Sequence, residues 1–172
     1  MRKLTITFAV ACVSFLSGIV VLTLTAQDAG PAAASNCLSI PACEFQEHRS
    51  SYSYSRDLHM YATDSISNWY NAPVHLPHGA TIRKLILFCK DNSKSTSIDL
   101  YMYRLNRDDV VVDLALISST GANSSFRSFA TTAISPRFVN NFKNCYLLTL
   151  RLPGTQTDGF EFSQAKILYD AP

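Results

Sequence analysis

The sequence predicts an all-β protein: an antiparallel β-sandwich, jelly-roll-like, of about eight strands, after an N-terminal signal segment. Three observations predict it. Short runs alternating apolar and polar residues at period two recur from about Phe45 to the C-terminus. Clusters of Asn, Asp, Gly, Ser and Pro separate those runs. No stretch after the first 26 residues keeps a helical period. The 172 residues accommodate one domain. Successive strands without intervening helices close as a sandwich or jelly roll.

The first element is a targeting segment. Arg2 and Lys3 precede an apolar run of 21 residues, Leu4 to Leu24, and Gln27 and Asp28 follow. This is the layout of a secretory signal over residues 1–26, with small residues suited to cleavage at Ala26 and as late as Ala34. The run is also long enough to span a bilayer if uncleaved. Arg2 and Lys3 account for the whole net charge of +2, so the exported part is neutral if cut after Ala26. No basic stripe is present, which argues against a nucleic-acid partner.

Residues 27–44 read as a linker with a small cysteine loop, and residues 45–172 as the sandwich. Four cysteines follow the signal: Cys37, Cys43, Cys89 and Cys145. An even number in an exported chain points to two disulfides, and the favoured pairing is Cys37–Cys43 with Cys89–Cys145. A zinc site lacks its C-x-x-C pair.

The strands follow in order. Leu58–Ala62, Trp69–Val74 and Phe126–Thr132 are short and weak, and Ser51–Tyr54 adds another. Thr81–Cys89 is apolar on both faces toward its end, as suits a covered central strand. Ser97–Leu105 places Ile98, Leu100 and Met102 on one face and Asp99, Tyr101 and Tyr103 on the other. Val110–Ser118 groups Val112, Leu114 and Leu116, and Cys145–Leu152 groups Tyr146, Leu148, Leu150 and Leu152. Phe160–Tyr169 groups Ala165, Ile167 and Tyr169. Turn residues separate the strands at Asp91-Asn92, Asn106 to Asp109, Gly121 to Asn123, Asn140-Asn141 and Asp158-Gly159.

The stretches "WYNAPVHLPHGATIRKLILFCKDN", "IDLYMYRLN" and "AKILYDAP" resemble a group of bacterial exported proteins that share an A-P-V-x-L-P-x-G-A-T-I motif. The resemblance covers about the last two thirds of the chain. It rests on turn and strand residues, so it implies a secreted β-sandwich and carries over no catalytic residue.

Several constellations invite chemistry. His75 and His78 form H-x-x-H, but Pro77 lies between them and Gly79 follows. Pro excludes a regular helix or central strand, and Leu76-Pro77-His78-Gly79 suits a β-turn instead. A metal there would need His59 and Asp64 as further ligands, so no metal site is assigned. Asp91-Asn92 and Asp108-Asp109 offer oxygen ligands for a structural calcium, yet ordinary turn chemistry explains them and no cofactor is expected. A hydrolase lacks a framed serine. Its paired carboxylates would have to come from Asp99, Asp113, Asp158 and Glu161.

The strongest functional feature is aromatic. Tyr101 and Tyr103 stand together with Asp99, and Trp69 and Tyr70 extend the platform, with Tyr52, Tyr54 and Tyr61 as further aromatic surface. Such rings with a carboxylate can stack on and hydrogen-bond a sugar. Cross-strand aromatics also stabilise sheets or line subunit contacts. The sequence therefore points to a non-enzymatic, secreted binding module whose partner is a glycan or another surface protein. The alternatives are a self-associating envelope subunit, a homo-oligomer, and, less favoured, an envelope hydrolase. Membrane contact is expected only through an uncleaved signal segment.

Overall fold

A computed structural model describes residues 36–48, 54–56, 59–62, 67–108, 110–155 and 157–172, the backbone alone for 54–56. The signal segment, the linker before Asn36, Tyr52, Asp64 and Asp109 lie outside the described residues. The described residues form eleven strands: β1 (Asn36–Pro41), β2 (Gln46–Glu47), β3 (Tyr54–Arg56), β4 (Met60–Ala62), β5 (Asn68–Val74), β6 (Thr81–Asp91), β7 (Asp99–Asn106), β8 (Val111–Ser118), β9 (Asn123–Thr131), β10 (Asn144–Leu152) and β11 (Phe160–Asp170). Among the described residues, the sole helical element is a three-residue turn, Ala42–Glu44, and no helix is long and apolar enough to cross a membrane.

The strands form two antiparallel sheets packed face to face. The first has the order β3-β4-β11-β6-β9, with β1 also on β11, and the second the order β2-β5-β10-β7-β8. From β4 to β7, and again from β8 to β11, each strand lies in the opposite sheet from the one before it. That crossing pattern is the jelly-roll-like arrangement expected from the sequence.

Period-two alternation decides what is inside. Ile98, Leu100 and Met102 are fully buried, as are Leu148, Leu150 and Leu152. From the first sheet Leu85, Leu87, Cys89, Phe162, Ala165 and Ile167 meet them. Phe45 sets its ring edge-on to Phe162 at 4.8 Å between centroids, closing one side of the core.

Four expectations are corrected. The sandwich begins at Asn36, not 45, because β1 pairs along β11 from Asn36↔Tyr169 to Pro41↔Gln164. In β8 the expected face of Val112, Leu114 and Leu116 is broken: the register against β7 slips between Met102 and Tyr103, so Leu114 and Ala115 are both buried and Leu116 is turned out. The turn after β5 runs one residue later than expected. Ala80 N–H donates to the Pro77 carbonyl at 3.2 Å, and Gly79 takes the third position with φ +85°.

The fourth correction concerns the disulfides. Cys37, Cys89 and Cys145 carry free thiols, so neither expected bridge forms. Cys89 points into the core from the first sheet, while Cys145 is exposed on the second, donating weakly to the Leu105 carbonyl at 3.7 Å. Cys37 lies near the start of β1 and Cys43 in the three-residue turn after its end. The extended run from Cys37 to Pro41 alone spans roughly 13 Å, against a limit of about 7 Å between bridged Cα atoms.

Candidate functional site

The outer face of the second sheet is where the sequence-predicted aromatics meet. Antiparallel pairing sets β8, β7, β10 and β5 side by side, so outward residues form rows across the sheet. One row runs Ser118, Asp99, Arg151, Trp69. The next runs Leu116, Tyr101, Thr149, Asn71, and a third Asp113, Tyr103, Leu147, Pro73. Tyr101 and Tyr103 follow each other on β7, and their rings are stacked within 3° at 5.8 Å. Trp69 leans over from β5 to within 5.7 Å of the Tyr101 ring. Thr149, on β10 between β7 and β5, is 8% exposed.

Beside this aromatic row lies a cavity of about 530 Å³, lined by His48, Trp69, Asn71, Tyr103, Leu105, Val111, Leu147 and Thr149. That is a usual size for a small-ligand site, mostly apolar with a few placed polar groups. The polar groups are chained. Thr149 Oγ donates to Asn71 Oδ1 at 2.8 Å. The Asn71 amide NH₂ is 3.0 Å from His48 Nδ1, which must accept, leaving the Nε2 edge of the imidazole open.

Asp99 is drawn out of ligand reach by its own partners. Both Arg151 Nε–H and Nη2–H donate to Asp99 Oδ2, and Ser97 Oγ–H donates to Oδ1 at 2.8 Å. Asp99 is 5% exposed, and its ion pair holds Arg151 in the row between Asp99 and Trp69. Arg151 in turn lines a second, polar hollow of about 470 Å³ with the 93–97 and 119–121 loops. Tyr70 is not part of the platform. It neighbours Trp69 in sequence, so it points the opposite way and is fully buried in the core.

Asp113 takes a place at the site that the sequence assigned only to a hydrolase pair. It stands opposite Tyr103 across the β7–β8 pairing. Burial first, then the Asp113 charge, then the neighbouring Tyr101, push the Tyr103 hydroxyl above its ordinary range, so it remains a donor. Asn71 and Thr149 were legible in principle, since each falls at period two from an outward residue of a predicted strand. His48 carried no such signal, because the two-residue strand β2 that delivers it is too short to show a pattern.

The remaining candidates are scattered. Asp99 and Asp113 lie on one face, but their rows are about 14 Å apart along the strands, beyond the 5–10 Å of glycosidase carboxylates. Glu161 is on the first sheet, bound by Lys90 at 2.6 Å. Asp158 is fixed in a turn, accepting from the Thr155 N–H and hydroxyl, which lower its pKa. His75 and His78 are exposed near the start of β6. His59 sits by Phe126 and 4.0 Å from Glu161, toward the other end. Asp91 is buried with its oxygens accepting from Ser119 Oγ–H and Ser93 N–H. Among the described residues no three His, Cys, Asp or Glu are grouped to hold a metal.

No protein-family model matches the chain, and no curated protein matches it. Solved structures do. A glycoside hydrolase family 43 arabinoxylan arabinofuranohydrolase from Bacillus subtilis, in complex with cellotetraose, is similar over 74% of this chain at 13% identity and TM-score 0.48. The present chain spans 26% of that enzyme. The C-terminal family 6 carbohydrate-binding module of a laminarinase from Zobellia galactanivorans is similar over 77% of this chain and 98% of its own, at 13% identity and TM-score 0.46. A Podospora anserina β-(1,4)-mannanase carrying a family 35 module is similar over 79% of this chain and 28% of its own, at 11% identity and TM-score 0.43.

Proposed function

We propose that the protein is an exported, non-enzymatic binding module that holds a glycan on the outer face of its second sheet. The observation that carries this is the row Trp69, Tyr101, Tyr103, with ring steps of 5.7 and 5.8 Å, beside a cavity with polar groups. Sugar rings present apolar C–H faces and polar edges. Half-buried aromatic rings match the faces, and Asn71, Thr149 and His48 match the hydroxyls. Tyr103 stays protonated and donates. Arg151, fixed by Asp99, lies where the row meets the second hollow, so a linear glycan would run along the strands from Tyr103 toward it.

Export rests on the basic-then-apolar N-terminal segment and on the resemblance carried by "APVHLPHGATI".

Glycan-array binding followed by titration calorimetry tests the proposal, with Tyr101→Ala, Tyr103→Ala and Asn71→Ala as controls. Loss in all three is expected. Binding indifferent to both Tyr changes, or none to any glycan, overturns it. A second reading, self-association, has its own observation: β8 is an edge strand that exposes Val111 at 56% and Leu116 at 48%. Light scattering decides it, and a monomer at high concentration removes it.

A further inference from the structure

We propose that one end of the sandwich, built from residues 75–80 and 132–143, is a lipid-contacting tip, with Phe142 as the side chain that enters an anionic membrane surface. Phe142 is 83% exposed and Phe138 56%. Single exposed aliphatic residues need no explanation, but these rings are grouped. The His78 ring lies 4.3 Å from that of Phe142 and 6.5 Å from that of Phe138. Together they make one apolar patch on the surface.

The patch is held outward. Gly79 N–H donates to the Val139 carbonyl at 2.9 Å, Val139 N–H to Ala80 at 2.8 Å, and Ile82 N–H to Arg137 at 2.9 Å, which ties the two loops together. Asn141 N–H donates to His78 Nδ1 at 3.2 Å, and its side-chain amide to the Leu76 carbonyl at 2.8 Å. Phe142 N–H donates to Asn140 Oδ1, and Asn140 N–H to the Tyr146 hydroxyl at 2.8 Å. A slack loop would let Phe142 fold back onto the protein. Here the backbone is pinned on both sides of it, so the exposure is built in.

The surroundings select the partner. Neither loop carries a carboxylate, and each Phe has a cation next to it in sequence: Arg137 before Phe138 and Lys143 after Phe142. Both cations are exposed. Arg137 also clamps its own loop, donating to the carbonyls of Ile134 and Thr132. Apolar side chains that insert, flanked by cations that meet anionic headgroups, are the two parts of interfacial membrane binding. A loop end suits insertion between headgroups better than it suits a flat contact between copies. Strand β1 also starts here, Asn36 lying opposite Tyr169. The proposal is independent of the glycan site.

The test uses the full chain carrying Phe142→Trp, mixed with vesicles of equal parts phosphatidylcholine and phosphatidylglycerol. Emission is read as the difference from the unsubstituted chain, which removes Trp69. The expected result is a blue shift and quenching by brominated acyl chains, with vesicle affinity reduced about fivefold by adding Lys143→Gln, one surface cation's worth of attraction. Emission unchanged by vesicles overturns the proposal, whatever other part of the chain binds them. A blue shift that grows with protein concentration in the absence of vesicles also overturns it, and assigns the tip to contact between copies. Circular dichroism on the variants separates either result from misfolding.

Discussion

The two outer faces of the sandwich are built alike and finished differently. On the first sheet, β6 and β11 turn out Lys84, Ile86, Phe88, Lys166 and Leu168. The outward ring there is covered by a lysine: Lys166 Nζ lies over Phe88, 5.1 Å from its ring centroid. Lys90 pairs with Glu161 alongside. On the second sheet no lysine stands among the outward residues of β5, β10, β7 and β8. Its cation, Arg151, is tied to Asp99, and its rings pack on one another. An aromatic strand residue is thus no evidence for a site by itself. What its neighbours across the strands do with it decides.

The two sheets' cysteines carry the largest expected difference. Cys89 faces inward from the first sheet, where burial, then the Asp91 charge, push its thiol from 9.0 up to about 12. In the native state a thiol reagent should modify Cys37 and Cys145 and spare Cys89. An equal rate at Cys89 would contradict its placement. The folded chain keeps the Cys89 proton where the unfolded chain has lost it. Its contribution to stability is therefore complete below pH 9 and falls away as pH rises toward 12, by on the order of 4 kcal/mol across the window. Denaturant titrations of Cys89→Ala against the parent chain should show that slope missing.

Next in size is the ion pair under the open face. Asp99→Ala leaves the Arg151 guanidinium half-buried without its carboxylate and should cost about 2 kcal/mol by thermal or urea unfolding, discounted for the partial exposure of Arg151. A neutral result would mean that the pair does not position that row. Smaller again, Tyr101→Ala and Tyr103→Ala should each weaken glycan binding about tenfold, near 1.4 kcal/mol. Phe88→Ala on the first sheet should leave binding unchanged. If Phe88→Ala weakens it equally, the wrong face has been chosen.

The smallest effect is spectroscopic. The Tyr103 hydroxyl should ionise above the ordinary value near 10, and Asp113→Asn should bring its midpoint down by removing the facing charge. Because the folded chain holds this proton longer, stability contributed by the neutral ring is present below pH 10 and lost above it. Ultraviolet difference titration of both proteins checks the direction.

Much of this fold was legible in the alternation. Ile98, Leu100 and Met102 inside with Tyr101 and Tyr103 outside follows from a period of two and the need to bury one face. Other features were not. The extra residue in β8 reverses Leu116 without any local signal, because a bulge is chosen by the partner strand's register. Trp69 and Tyr70 could never share a face, yet which of them turned inward depended on the side from which the first sheet would pack. An even number of cysteines predicts bridges, whereas bridging requires Cα proximity, which the extended run from Cys37 to Pro41 works against and which sheet orientation denies to Cys89 and Cys145.

Residue type and spacing alone therefore determined the all-β class, the strand positions from β5 to β11 and the split of most side chains into inward and outward sets. Those are local properties, set by backbone pleat and turn chemistry. Only the tertiary structure decided that β10 runs between β5 and β7, which brings Trp69 to Tyr101 and sets Thr149 between Tyr101 and Asn71. It also brought His78 to Phe142. Strand order is settled by the summed packing and hydrogen bonding of segments far apart in the chain, so no single stretch records it.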